Sequence, residues 1–317
     1  MTPEHILVAG GAGFIGTHLT RTLLDRGHSV VVADDFSTTV PDALEAESDH
    51  PNLRVLRHDV TEPLALECDV IFNLACPAAP IHYQVDPTRT WKTSILGAMH
   101  LSELALRNEA TLIHASTSEV YGDPLIHPQR EDYAGNVEPI GPRACYDEGK
   151  RAAETLLTDL CRTRGLDLRM ARIFNTYGPG MALDDGRLVV AFAVAALTGA
   201  PLELHGDGGQ TRSLCYVSDM VAGLIRLWEV EAVRGVPVNL GNPQEVTVRR
   251  IAEEILAITG SDSPLREVPR PVHDPSRRRP DITRARDMLS WEPVVSRADG
   301  LAAVVEDVDA RLMKRAD

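Results

Sequence analysis

Short apolar runs alternate with amphipathic stretches from the N-terminus to Ile173. The first run, Ile6–Ala9, is followed by Phe14–Arg26, whose apolar positions recur at helical spacing until Gly27 ends the pattern. This alternation favours a parallel sheet with helices on both faces, because parallel strands are joined through helical crossovers. Strands are predicted at Ile6–Ala9, Ser29–Ala33, Leu53–Arg57, Val70–Leu74, Thr111–Ala115 and Asp167–Ile173. Helices are predicted at Phe14–Arg26, at Thr88–Asn108 and from Tyr146 to about Arg164, with a short acidic helix or loop at Asp42–Glu47.

The pattern changes after Pro179, where loops and polar turns separate shorter elements. The segment Pro264–Pro280 carries five prolines and five arginines, which predicts a long ordered loop or a lid. We therefore expect a sheet domain over residues 1–180 and a smaller α/β domain over residues 181–317, with a strand and a helix near 202–229 returning to the first. The predicted helices of the second part are Leu188–Leu197, Val217–Trp228, Val246–Thr259, Asp281–Leu289 and Arg297–Arg315, and its predicted strand is Leu202–Leu204.

Composition excludes several classes of function. The 317 residues carry a net charge of −14, which disfavours a nucleic acid or an anionic membrane as partner. An anionic substrate would have to be held by local arginines. No apolar stretch reaches the roughly 20 residues that a membrane-spanning helix needs. The five cysteines are scattered without C-x-x-C spacing, which predicts reduced thiols in the cytoplasm and neither a metal site nor a disulfide framework.

Three glycines follow the first predicted strand. Gly10, Gly13 and Gly16 lie where that strand gives way to a helix, with Phe14 and Ile15 between the last two. Such glycines allow a tight turn, a close approach of the backbone to a pyrophosphate, and close packing of the helix on the strand. The unpaired N–H groups of the helix N-terminus then hold the phosphates. The pattern predicts a Rossmann-like, doubly wound parallel sheet that binds a dinucleotide.

An acidic residue indicates which dinucleotide is bound. Asp34 ends the second predicted strand, 18 residues after Gly16, where a carboxylate binds ribose hydroxyls and repels a 2′-phosphate. NAD is therefore the expected cofactor; the alternatives are that Asp34 is a turn residue or that Asp35 takes its role. Ligands of such sheets bind at the carboxyl ends of the strands. By this rule Asp59 and Val60 are expected by the adenine, and Leu74 and Ala75 along the cofactor cleft.

Tyr146 and Lys150 place a phenol and an ammonium four residues apart on a predicted helix, about 6 Å from each other. A nearby ammonium favours phenolate over phenol, which makes the tyrosine a usable base toward an alcohol. Such a pair is also an ordinary feature of helix surfaces. It gains weight from residues 116–119 (STSE) at the end of the fifth predicted strand, where a hydroxyl can reach the reacting oxygen and Tyr146. The combination predicts oxidation of an alcohol by the dinucleotide.

The glycine pattern, the hydroxyls after strand five, Tyr146 and Lys150 together resemble the extended short-chain dehydrogenase/reductase superfamily of nucleotide-sugar enzymes. Longer motifs narrow the resemblance to the UDP-glucuronate decarboxylase (UDP-xylose synthase) family over essentially the whole chain. Matches in loops carry most weight, because loops hold the chemistry and packing constrains them least. The motifs are residues 73–80 (NLACPAAP), 117–123 (TSEVYGD), 139–151 (PIGPRACYDEGKR), 172–179 (RIFNTYGP), 185–187 (DGR), 210–212 (QTR), 216–219 (YVSD) and 277–281 (RRRPD).

The resemblance implies a cycle of oxidation, decarboxylation and reduction in which NAD is regenerated. Tyr146, with its pKa lowered by Lys150 and by the nicotinamide charge, would take the proton of the sugar's 4-hydroxyl. The ketone formed lies β to the carboxylate, so carbon dioxide leaves and the enolate is protonated at carbon 5. Thr117 would orient the 4-oxygen, while Glu119 and Arg278 would act at the carboxylate and in reprotonation.

The resemblance also implies residues that bind the substrate. Asn175, Arg187 and Arg212 would lie at the uridine and the diphosphate, and Tyr83 would touch the sugar. Taken alone, the two arginines would be ordinary surface charges and the tyrosine an exposed loop residue.

Two further positions bear on the reaction. Arg278, in the proline-rich segment, is the candidate for bidentate binding of the sugar carboxylate. Its neighbours Arg277 and Arg279 are rivals, and all three are alternatively solvated charges on a loop. Ser118 stands where dTDP-glucose 4,6-dehydratases carry the aspartic acid that protonates a leaving hydroxyl, and a serine cannot act as that acid at neutral pH. Elimination of water is therefore disfavoured.

Several functions compete. The leading hypothesis is a UDP-glucuronate decarboxylase, and its closest alternative is a 4-epimerase of UDP-glucuronate or UDP-glucose, which shares the 4-keto intermediate. A non-catalytic protein that binds NAD would have no use for Tyr146 and Lys150. The resemblance also implies a homodimer, in which helices Thr88–Asn108 and Ala144–Arg164 form a four-helix bundle with their copies. Alternatively, the sheet covers the apolar faces of both helices.

Overall fold

A computed structural model describes residues 3–40, 43–184, 186–269 and 277–316. The strands are, in chain order, β1 (His5–Ala9), β2 (Ser29–Asp34), β3 (Leu53–Arg57), β4 (Val70–Asn73), β5 (Thr111–Thr117), β6 (Leu168–Ile173), β7 (Thr176–Tyr177), β8 (Leu202–His205), β9 (Thr211–Ser213), β10 (Cys215–Tyr216), β11 (Pro237–Leu240), β12 (Glu245–Thr247) and β13 (Leu265–Val268). The helices are α1 (Phe14–Asp25), α2 (Pro80–Tyr83), α3 (Pro87–Asn108), α4 (Ala144–Arg164), α5 (Leu188–Thr198), α6 (Val217–Glu229), α7 (Val248–Thr259), α8 (Thr283–Leu289) and α9 (Arg297–Ala316).

Within these described ranges, seven parallel strands form one sheet in the order β11-β6-β5-β4-β1-β2-β3. Its inner strands β1, β2 and β4 are almost continuously apolar, as expected when helices cover both faces. In β1, Ile6 and Val8 join a core with α1 and α6, whereas Leu7 and Ala9 join a core with α3 and α4 on the opposite face. The predicted doubly wound α/β fold is confirmed.

Apart from the cores on the two faces of the sheet, a second core region lies under α5, α7 and α9. It includes Leu202 and Leu204 of β8, which pairs in parallel with β13. Short ladders β7–β10 and β9–β12 connect this region to the end of the large sheet. Among the described residues, no helix is both long enough and apolar enough to cross a bilayer.

The six strands predicted before Ile173 are present, with ends that differ by at most two residues. The strand of the segment 202–229 does not return to the central sheet, because β8 pairs with β13; its helix, α6, does pack on the sheet. The segment Pro264–Pro280 is not loop throughout, since it contains β13, and residues 270–276 of the expected lid lie outside the described residues. The acidic segment Asp42–Glu47 forms a 3₁₀ turn at Glu45–Glu47, and Asp42 is not among the described residues. The domain boundary near residue 180 stays a prediction.

Asn239, in β11, ties three distant segments together. Its side chain is fully buried and donates to the carbonyls of Gln129 and Asp281, at 3.0 and 3.1 Å. Its carbonyl oxygen accepts the hydroxyl of Tyr121 at 2.7 Å. The strand thereby fixes the segment that follows Arg278, which brings that arginine to the carboxyl end of the sheet.

Candidate active site

A cleft of about 1350 Å³ opens at the carboxyl ends of the central strands. It runs from the glycine loop after β1 to Arg187 and Arg212, which belong to the second core region. Ligands of doubly wound sheets bind at this edge, outside the carboxyl ends of the strands. Most predicted site residues line this one cleft: Gly10, Gly13, Phe14, Ile15, Gly16, Leu74, Tyr83, Thr117, Ser118, Glu119, Tyr146, Lys150, Asn175, Arg187, Arg212 and Arg278.

The glycine loop has the geometry that the sequence pattern predicts. Gly10 has φ +76°, and a Cβ on it would lie 2.7 Å from the backbone nitrogen of Ala75. A Cβ on Gly16 would overlap the carbonyl oxygen of Gly10. Helix α1 begins directly after this turn, with Gly13 as its N-cap. Its first N–H groups therefore face the cleft, as an anion-binding site requires.

Asp34 lies behind this loop. Its carboxylate accepts the N–H of Ala12 at 3.0 Å and the N–H of Phe36 at 2.9 Å, so it braces the glycine turn. Burial raises the pKa of Asp34, and the two N–H groups oppose that shift. Asp35 instead forms an ion pair with Arg89 at 2.6 Å. Of the two candidates, Asp34 is therefore the one that contacts the glycine loop.

Besides Asp34, three of the predicted cofactor residues do not line the main cleft. Asp59 accepts the N–H of Thr61 and is 3.9 Å from Arg89. Val60 is buried, and Gly97 of α3 leaves space for its side chain. Ala75 contributes backbone next to Gly10. Their expected contacts with a cofactor stay predictions.

Tyr146 and Lys150 lie one turn apart on α4 and are both buried. The ammonium of Lys150 donates to the carbonyl of Ala115 at 2.8 Å and lies 6.0 Å from the centre of the Tyr146 ring. The side chain of Thr117 lies beside the phenol of Tyr146 and lowers its pKa. Ser116 is directed elsewhere, because its hydroxyl donates to Glu154. Thr117 is therefore the hydroxyl of strand five that meets the tyrosine.

In the protein by itself, the pKa of Tyr146 lies above that of an ordinary tyrosine. Burial raises the pKa of Tyr146, and the nearby Cys76 and Glu119 raise it further, while the side chain of Thr117 lowers it. In the protein by itself desolvation outweighs the influences that lower this pKa, and the expectation that Lys150 and the nicotinamide charge together lower it stays a prediction. An additional positive charge near the phenol is needed before Tyr146 can act as a base at neutral pH.

Glu119 and two arginines form a buried cluster beside Tyr146. Arg143 donates to Glu119 at 2.6 Å, and Arg278 contacts both carboxylate oxygens, at 2.8 and 2.9 Å. Arg278 also lies 3.4 Å from the amide oxygen of Asn175. Of its rivals, Arg277 is exposed, and neither Arg277 nor Arg279 lines the cleft. Arg278 is thus the arginine of this segment that reaches the site.

Tyr83 is not an exposed loop residue. The short helix α2, which the sequence did not predict, buries its side chain to 1 % exposure. Its ring stacks on the ring of Tyr146, with centroids 5.1 Å apart and planes inclined by 6°. This contact fixes the orientation of the Tyr146 ring. Cys76 and Cys145 pack around the two rings.

Two residues of this cluster escaped the sequence analysis. Arg143 stands three residues before Tyr146, and Asp147 directly follows it; both lie within the motif 139–151. That motif was the available signal, but it did not distinguish these charges from surface charges. Elsewhere in the cleft, Arg187 packs over the ring of Phe14, which follows Gly13, with its guanidinium carbon 5.5 Å from the ring centre. Asp185, of the motif 185–187, lies outside the described residues.

Comparisons with known proteins show the family to which the chain belongs. The profile of the NAD dependent epimerase/dehydratase family matches residues 6–241. UDP-glucuronic acid decarboxylase 5 of Arabidopsis thaliana is 50% identical over 308 residues, which cover 97% of this chain and 90% of that protein. UDP-glucuronic acid decarboxylase 1 of Danio rerio is 46% identical over 314 residues, covering 99% and 75% respectively.

The fold has close counterparts among solved structures. UDP-glucuronic acid 4-epimerase from Bacillus cereus, solved in complex with UDP-glucuronic acid and NAD, superposes with a TM-score of 0.87 at 26% identity, over 97% of this chain and 99% of that one. The identity to the decarboxylases is nearly twice the identity to this epimerase. The resemblance inferred from the motifs is therefore confirmed. The chain belongs to the NAD dependent epimerase/dehydratase family and, within it, to the UDP-glucuronic acid decarboxylases.

Proposed function

We propose that this protein converts UDP-glucuronate to UDP-xylose and carbon dioxide, with NAD regenerated in each cycle. One observation carries the proposal: Arg278 reaches Glu119 in the same cleft as the Thr117–Tyr146 pair. A guanidinium at this position can bind a sugar carboxylate bidentately. The hydroxyl of Thr117 and the phenol of Tyr146 can then contact the 4-hydroxyl of the sugar, on the carbon next to the one that bears the carboxylate.

The residues of the cleft fit NAD. A side chain on Gly10 or Gly16 would clash with neighbouring backbone, so these glycines allow the tight turn from which α1 begins, and the N-terminus of α1 suits a pyrophosphate. Gly10, Gly13, Phe14, Ile15, Gly16 and Leu74 would hold it, with Asp34 bracing the turn. NAD, when bound, supplies reversible oxidation at carbon 4 of the sugar and a positive charge near Tyr146. The epimerase of Bacillus cereus, whose structure contains NAD, supports this assignment.

The chain's own groups would act as follows. Tyr146 takes the proton of the 4-hydroxyl, and Thr117 holds that oxygen in hydrogen-bonding range of the phenol. Lys150, anchored on the carbonyl of Ala115, keeps a positive charge beneath the ring. Arg278 binds the carboxylate until the bond between carbons 5 and 6 breaks. Tyr83, stacked on Tyr146, excludes water from this face of the phenol.

The alternative reactions have less support. Ser118 is buried in the cleft where a dehydratase needs a proton donor, and a serine cannot supply it. A 4-epimerase keeps the carboxylate and needs no group that protonates carbon 5, which is the role that Glu119 would take in the decarboxylase. Asn175, Arg187 and Arg212, which also line the cleft, would bind the uridine diphosphate.

Incubation of the purified protein with UDP-glucuronate and NAD, followed by mass spectrometry, tests the proposal. We expect a nucleotide sugar lighter by one carbon dioxide, without net accumulation of reduced cofactor. An unchanged mass at a new chromatographic position would identify an epimerase instead. Loss of water would identify a dehydratase.

We also propose a homodimer through α3 and α4. The two helices pack side by side, and Trp91 and Met99 of α3 remain 39% and 42% exposed. An exposed apolar stripe two turns long is typical of an interface. We expect twice the chain mass in light scattering for the native protein and a monomer for Trp91→Glu. The matched control is Val294→Glu, which is 82% exposed far from these helices and should leave the mass unchanged. A monomeric native protein would contradict the proposal.

We further infer a cytoplasmic location. The five cysteines are all free thiols in the structure, and Cys68, Cys145 and Cys215 are buried. Free thiols in this number are typical of a reducing compartment.

A further inference from the structure

A second cavity of about 260 Å³ lies behind the Glu119 cluster. Glu119 and Arg143 line both this cavity and the main cleft, so their ion pair forms the wall between the two. The second cavity is also lined by the polar residues Asp123, Asn136, Glu138 and Asp147. A cavity of this size and polarity has room for several water molecules, each of which occupies about 30 Å³ in the liquid.

Asp147 is the buried acid of this cavity. Its side chain is 9% exposed, and one carboxylate oxygen lies 4.0 Å from Nε of Arg143. The other oxygen, Oδ1, is fully buried and has no hydrogen-bond partner among the described residues. A buried polar atom normally has a partner, so an orphaned oxygen on an acid that lines a polar cavity points to a proton held by that carboxyl.

The surroundings of Asp147 favour proton exchange near neutral pH. Burial and the charge of Glu119 raise the pKa of Asp147 to about 7, although Arg143 and Arg278 oppose the shift. At that pKa the carboxyl is close to half protonated in a neutral solution. The titratable groups that face it from all sides are Glu119, Arg143, Arg278, Glu148, Tyr83, Cys145 and Tyr146, with Asp123 and Glu138 across the cavity.

The role inferred for Asp147 rests on the proposed function, because that reaction requires a proton from solvent. When the bond between carbons 5 and 6 breaks, its electron pair passes into an enolate and carbon dioxide leaves. That electron pair then forms a new C–H bond at carbon 5, which consumes one proton per turnover. Tyr146 cannot supply it, because its proton returns to the 4-oxygen. A nucleotide sugar in the main cleft would stand between carbon 5 and the solvent on that side.

We propose that Asp147 and the second cavity supply this proton from solvent to Glu119, which faces the substrate. A proton enters through the polar cavity, passes from the Asp147 carboxyl through cavity water to Glu119, and is replaced from solvent. Asp147 acts through Glu119 and so positions the proton without touching the sugar. The polar lining suits water better than it suits departing carbon dioxide, which is apolar.

The test compares Asp147→Asn with the native enzyme in both H₂O and D₂O. We expect kcat to fall about tenfold, which is below the effect of a directly acting acid, with KM little changed. The solvent isotope effect on kcat should increase, because protonation becomes rate-limiting. Above pH 7 the native rate should decline, since Asp147 must be protonated to donate, and this decline should be absent in the variant. Asp147→Glu, which keeps a carboxyl, should restore part of the rate.

A second readout does not depend on turnover. Infrared spectroscopy of the native protein at neutral pH should show a protonated buried carboxyl band that Asp147→Asn lacks. The matched control is Asp159→Asn, an exposed carboxylate on the same helix α4, which should change neither the band nor the pH profile. An unchanged kcat in Asp147→Asn, or a lower kcat with the native pH profile and isotope effect, would overturn the proposal. A native enzyme that forms no UDP-xylose would instead overturn the proposed function, whatever the infrared result.

Discussion

Replacement of Tyr146 with phenylalanine should lower kcat for UDP-glucuronate by about 10²- to 10⁴-fold, the range for loss of a general base. The variant keeps the ring that stacks on Tyr83 at 5.1 Å, so the packing of the site should survive. It loses the phenolic oxygen, which lies beside Thr117 and would accept the proton of the 4-hydroxyl in its deprotonated form. Steady-state kinetics and the retention of NAD after purification measure the effect.

The control for this variant is Tyr133→Phe. Tyr133 is also stacked on a second tyrosine, Tyr121, but its hydroxyl accepts the N–H of Leu125 and does not line the cleft. Its activity should stay close to native. A Tyr146→Phe variant within about tenfold of native kcat would show that another group takes the proton, since a true general base contributes more.

Replacement of Arg278 with lysine should reduce kcat/KM by roughly 10- to 100-fold, the loss expected when charge-assisted hydrogen bonds worth about 1.5–3 kcal/mol disappear. Lysine keeps the charge but cannot reproduce the planar fork with which arginine contacts both oxygens of Glu119. Binding of UDP alone, measured by calorimetry, should be unchanged, because UDP has no carboxylate to bind.

Arg277→Lys is the matched control, since Arg277 is adjacent, exposed and not part of the cleft lining. It should retain native kcat/KM. Equal losses in the two variants would indicate a general disturbance of the segment and not the loss of a specific contact made by Arg278. Weaker UDP binding in Arg278→Lys would place the arginine at the nucleotide and not at the carboxylate.

The fold could be predicted where the sequence pattern is local. The apolar runs of β1 and β4 are bounded by turn residues, and they were found to within a residue. Strand β11 was missed, because Pro237 and Asn239 interrupt a run of only four residues. Asn239 is tolerated in a central sheet because distant loops satisfy its hydrogen bonds, and no sequence pattern records such partners.

The same distinction applies to the site. Tyr146 and Lys150 follow from helical spacing, and the glycines from their position between strand and helix. Arg278 and Glu119 are 159 residues apart, so only the family resemblance suggested that they act together. The sequence does not distinguish Arg143 and Asp147 from surface charges, because the burial of a charge depends on partners that the fold supplies. Tyr83 became part of the site through a one-turn helix too short to give a periodic signal.

The position of β11 has a consequence for how the chain can be divided. This strand comes from residues 237–240 and pairs with β6, so the large sheet is completed by chain that follows the predicted boundary near residue 180. A fragment of residues 1–180 would expose the N–H and C=O groups of β6 as a free edge, and it would lose α6 from one apolar face. Bare edges and uncovered faces promote aggregation. The dinucleotide-binding part should therefore fail as an isolated expression product, and a split or inserted version of the protein should be cut after β11.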